Sequence, residues 1–75
     1  MVIRYVWDFR GYSAEGTAAH FRTHVDEFLS RNGLDGCVTG LDNPGLRHWA
    51  CWCDTPEAHQ AAVEKALRPH RRAGG

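Results

Sequence analysis

The sequence predicts an α+β two-layer sandwich in the order β-α-β-β-α, with an antiparallel three-stranded sheet and two helices on one of its faces. Three stretches carry this expectation. Val2 to Phe9 alternates strictly, with Ile3, Tyr5, Trp7 and Phe9 on one side and Val2, Arg4, Val6 and Asp8 on the other. From Thr17 to Arg31, apolar residues recur every three or four positions. His48-Trp49-Ala50-Cys51-Trp52-Cys53 is strand-like again and holds two of the three tryptophans and two of the three cysteines.

The elements follow in order. Val2 to Phe9 is the first strand, rich in the β-branched and aromatic residues that suit a pleated surface. Arg10 to Ser13 contains Gly11 and reads as a loop, with Ser13 able to cap a helix starting at Ala14. Ala18, Phe21, Val25, Phe28 and Leu29 make the apolar stripe of that helix, and Asn32-Gly33 ends it. Cys37 to Leu41 is a short second strand, and Asp42-Asn43-Pro44-Gly45 is the expected turn. Leu46 to Cys53 completes a hairpin. Thr55-Pro56-Glu57 supplies a cap, a first-turn proline and an acid, so a second helix runs to Leu67 and stops before Pro69. Its apolar face is Ala58, Ala62, Val63, Ala66 and Leu67. Residues 1–69 then form a single α+β domain, and 70–75 a flexible basic tail.

This is the ferredoxin-like order without its usual last strand. In that arrangement the first strand is left as an edge, and an apolar edge invites pairing with another chain. Large aromatics on both faces of the third strand, Trp49 on one and Trp52 on the other, point the same way. The chain is therefore expected to be a homodimer or higher oligomer, with Tyr5, Val6, Trp7, Trp49 and Trp52 at the interface.

Nine basic and nine acidic residues leave no net charge with neutral histidines. Such a chain lacks the electrostatic footprint expected of a nucleic-acid partner or an anionic membrane. No apolar run approaches the roughly 20 residues of a spanning helix, and Arg4 and Asp8 break any signal-peptide pattern. Three cysteines do not make a disulfide framework; reduced, structural thiols and a cytoplasmic location are expected.

Candidate sites are few. Arg10 and Tyr12, in the loop before the first helix, with Arg22 on that helix, could hold a small anion near the helix amides. His20 and His24 stand four apart on the same helix, the spacing that offers two imidazoles to one ligand or metal. His48 points to the opposite strand face from Cys51 and Cys53, so a closed four-ligand zinc sphere is not expected; neither a metal nor any other cofactor is called, with His20 and His24 the alternative. Arg68, His70, Arg71 and Arg72 form a basic run that could touch an acidic partner, although such a run on a tail is usually just solvated.

Phe21-Arg22, followed by Gly33-Leu34-Asp35-Gly36-Cys37-Val38, resembles acylphosphatase over about a third of the chain. The resemblance implies an arginine that holds phosphate. It departs where those enzymes carry their asparagine, here Thr39 or Gly40, and where their glycine-rich loop stands, here Ala18-Ala19-His20. Val38-Thr39-Gly40-Leu41 is similar to flavin-binding blue-light domains, with Ala50 near the place of their glutamine. The terminal Gly74-Gly75 resembles that of ubiquitin-like sulfur carriers, though here a helix precedes it. The expectation is a small homo-oligomeric binding or interaction module with an unknown small-molecule or protein partner. The alternative is a metal-binding or enzyme site, acylphosphatase-like included, in which His20, His24, Arg22 and a cysteine meet between the first helix and the sheet.

Overall fold

In a computed structural model, which describes residues 1–73, the chain is an α+β fold with one antiparallel sheet. The elements are β1 (Ile3–Arg10), α1 (Ala14–Arg31), β2 (Val38–Gly45), β3 (His48–Thr55), a 3₁₀ turn at Glu57–His59, α2 (Gln60–Leu67) and β4 (Arg71–Ala73). The sheet order is β2-β3-β1-β4.

The sheet thus has four strands, not the expected three. The fourth comes from the run expected to be a tail: Arg71, Arg72 and Ala73 pair with Val6, Tyr5 and Arg4. Gly74 and Gly75 lie outside the described residues. The gain is sterically simple. His70 N–H donates to the Val6 carbonyl at 2.9 Å, and the Arg71 guanidinium grips both oxygens of Asp8 at 2.8 and 3.2 Å. β1 is therefore an interior strand, paired with β3 along its whole length and with β4 at its start. The long edge of the sheet is β2, interrupted by a register shift between Asp42 and Gly45 that blunts it.

The core lies between the sheet and the helices. Tyr5, Trp7, Cys51 and Cys53 point up from the sheet, and Val25, Leu29 and Val63 point down. Phe21 packs against Trp7 and Phe9 with ring centroids 5.1 and 5.6 Å apart. Complete burial of Trp7 removes on the order of 200 Å² from water, a gross gain of roughly 5 kcal/mol. Its indole N–H donates to the Leu67 carbonyl at 2.8 Å, which ties the end of α2 to the sheet. The expected stripe of α1 is the observed one. On α2 only Val63 is buried, and the helix reaches the core through Val63 and Leu67; Ala62 and Ala66 are exposed, and Ala58 lies exposed in the preceding 3₁₀ turn rather than on the helix.

Local details differ where distant partners win. The hairpin reverses at Leu46-Arg47, with Arg47 at φ 56°, so Asp42 to Gly45 stays in β2. Ser13 makes no side-chain cap; the Thr17 N–H is met by its carbonyl instead. Thr55, the expected cap of α2, ends β3 fully buried and donates its hydroxyl to the Cys53 carbonyl. Gly33 does end α1 in the left-handed region, at φ 64°.

The opposite sheet face carries no helix, yet Val6 and Ala50 on it are buried. Trp52 lies flat over Gly40, its cross-strand partner, so closely that a β-carbon at Gly40 would come within 2.3 Å of the indole. The Arg4 guanidinium stacks 3.9 Å above the Trp52 ring and donates to both Asp54 oxygens, from Nε at 2.7 Å and Nη2 at 3.0 Å. Asp8, His48 and Arg71 cover the neighbouring stretch. Gly40→Ala is expected to destabilise the fold by about 2 kcal/mol through overpacking, read as a lower urea midpoint. The same change in a Trp52→Leu background should cost far less, and equal costs in both backgrounds would contradict the contact.

Candidate functional site

The main cleft forms where α2 ends and β4 begins. Helix α2 must stop before Pro69, and the chain reverses through Arg68 in the left-handed conformation, φ 47°. Pro69 and His70 then lead into β4, which lies beside β1. The gap left between α2 and β4 is a cleft of about 400 Å³ lined by Tyr5, Glu64, Arg68, Pro69, His70, Arg71 and Arg72. That volume falls within the usual range for small-molecule sites.

Its floor is polar and ordered. Tyr5, itself buried, donates its hydroxyl to Glu64, and Arg72 donates to the same carboxylate oxygen at 3.0 Å. Burial and the Glu64 carboxylate push the Tyr5 phenol up to about 12, so it stays a protonated donor. Arg71 is held by Asp8. Arg68 makes no ion pair among the described residues and stands exposed at the rim. Arg72 is thus paired with Glu64 and Arg71 with Asp8, while Arg68 and His70 also line the cleft.

The sequence-predicted residues do not meet here. Arg22 reaches β2, donating to the Thr39 hydroxyl and carbonyl at 3.2 Å each, while the Thr39 hydroxyl donates to Asp26 at 2.6 Å. Arg10 sits at the end of β1 opposite His48. Tyr12 is exposed beneath the Arg47 guanidinium, 3.9 Å from its ring centre, where the loop meets the hairpin tip through Gly11 N–H and the Arg47 carbonyl. His20 and His24 are exposed on α1, and no three of the histidine, cysteine, aspartate and glutamate side chains gather as a metal cluster among the described residues. Of the residues expected at an interface, Tyr5, Val6 and Trp7 are buried within one chain, while Trp49 and Trp52 are half-buried.

The three cysteines are free. Burial pushes the Cys51 thiol up to about 12 and the Cys53 thiol up to about 11, and raises Cys37 as well. Such thiols are poor nucleophiles. Glu64, Arg68 and Arg72 were the part of the cleft hardest to find in the sequence: the basic run was visible, but only the return of β4 to β1 brings it over Glu64 and Tyr5. Comparison of the chain with known protein families, curated proteins and solved structures finds no match.

Asp8 anchors the outer wall of the cleft. Arg71 foremost, and His48, hold its carboxyl down at about 2, below the usual 3.8. A depressed folded-state value stabilises the fold above the unfolded value and is lost as pH falls through the folded one. Stability is therefore expected to hold level down to about pH 5 and then drop by about 1–2 kcal/mol between pH 4 and pH 2 on this account. Asp8→Asn should lower neutral-pH stability by a similar amount and flatten that acid limb in urea titrations; an unchanged limb would remove Asp8 as its cause.

Proposed function

We propose that the protein is a small binding module that takes an anionic group, a phosphate or carboxylate, into the cleft between α2 and β4. The observation that carries this is the cleft itself: Arg68, His70, Arg71 and Arg72 around a floor where Tyr5 and Arg72 share Glu64. Among the described residues Arg68 is the cleft arginine without an ion pair, and Arg72 can turn from Glu64 to the ligand. Raised thiol values at Cys51 and Cys53 support binding rather than cysteine chemistry. We read the strand order as ferredoxin-like with a three-residue last strand.

Titration calorimetry with inorganic pyrophosphate and with citrate tests the ligand class. One site per chain is expected for at least one of them. Arg68→Ala should weaken it by about tenfold, equivalent to about 1.4 kcal/mol, without lowering stability, because the side chain is exposed. No binding of either probe, or binding untouched by Arg68→Ala and Arg72→Ala, would end this reading.

Self-association is a second proposal, now through the β2 edge. Val38, 57% exposed, lies on this edge, which lacks a strand partner on its outer side. Free, buried thiols suit a reducing compartment such as the cytoplasm. Among the described residues no helix is long and apolar enough to cross a membrane. Light scattering should give a mass above 8.4 kDa that falls towards it in Val38→Lys. A monomer at high micromolar concentration excludes the edge as an interface.

A further inference from the structure

We propose that His20 and His24 form a surface site for a divalent transition metal with cis coordination, of the copper(II) or nickel(II) kind, separate from the α2–β4 cleft. Both residues sit mid-way along α1, an uninterrupted eighteen-residue helix, so their backbones are one rigid turn apart. Their Nε2 atoms face each other at 2.9 Å, with the rings nearly perpendicular at 86° and centroids 4.4 Å apart. In the metal-free pair one Nε2–H donates and the other Nε2 accepts. A metal takes both Nε2 lone pairs once the donating ring exchanges its proton from Nε2 to Nδ1 through solvent, so both imidazoles stay neutral.

The distance matches one coordination geometry. With metal–nitrogen bonds of about 2.0–2.1 Å, two donors 2.9 Å apart subtend about 90° at the ion. That is the angle between neighbouring positions of a square-planar or octahedral centre. A tetrahedral zinc ion needs its donors roughly 3.3–3.4 Å apart, which these rings reach only by swinging open. The second ring nitrogen adds a further sign. His24 Nδ1 lies 3.5 Å from Glu27 Oε1, which puts a carboxylate beside the ring nitrogen that does not face the metal. No third protein donor joins the pair among the described residues, so water fills the other positions. The ion is exchangeable and contributes little to the fold. All three side chains are exposed, so the site is open to ions in solution and its variants leave the core intact.

The test is titration of the purified chain with copper(II), nickel(II) and zinc(II) in a non-coordinating buffer. Copper is followed by electron paramagnetic resonance. One equivalent is expected with hyperfine coupling from two nitrogens, and nickel should bind more tightly than zinc. His20→Ala and His24→Ala should each remove the two-nitrogen signal and weaken binding at least about tenfold, with circular dichroism unchanged. Glu27→Gln should weaken it about tenfold while keeping the two-nitrogen signal. His48, His59 and His70 remain as internal controls for unspecific imidazole binding. A His20→Ala/His24→Ala double variant that binds copper as the parent does would overturn the site. Zinc binding as tight as nickel would overturn the cis geometry.

Discussion

A sheet with helices on only one side must keep water off its other side without a second layer, and the chain's arrangement follows from that constraint. Trp52 is the lid. It can lie flat only because its cross-strand neighbour is Gly40, whose missing side chain leaves room for the indole. Arg4 then presses on the ring and is itself oriented by Asp54. On the same face Val6 and Ala50 are buried like residues of the main core. Flat stacking of a large aromatic and a guanidinium covers area with little volume, which suits a chain too short for another helix.

The remaining stretch of that face depends on Asp8. Its two oxygens accept from Arg71, and one of them also meets His48 at 2.8 Å. This cluster covers the sheet and fastens a three-residue strand that backbone pairing alone would hold poorly. The cleft exists because β4 is fastened: Arg72 lines it beside the Tyr5–Glu64 contact, on the helix-bearing side of the sheet. One strand thus serves two faces, Arg71 covering one and Arg72 lining the other.

The periodic parts of the chain were legible in its sequence. β1, α1 and β3 carry their own patterns, and the α1 stripe of Ala18, Val25 and Leu29 is buried as its spacing requires. What escaped were features set by partners far along the chain. Arg71-Arg72-Ala73 has no strand signature, because its place is fixed by Asp8 and Val6. Two large aromatics on opposite faces of β3 suggested a missing partner, whereas Gly40 supplies the second surface, and that depends on a hairpin register shifted by the Leu46-Arg47 turn. The His20–His24 pair was readable because helical spacing is local; the cleft was not, since its residues lie at both ends of the chain.

The bond from the Trp7 indole to the Leu67 carbonyl gives the molecule a built-in optical reporter. Three tryptophans occupy three surroundings: Trp7 buried under α2, Trp49 half-buried on the same face, and Trp52 beneath a guanidinium on the other. Loosening of α2 bares the Trp7 ring and breaks its bond, so its emission should move to longer wavelength. Single-tryptophan versions would separate the two layers by colour.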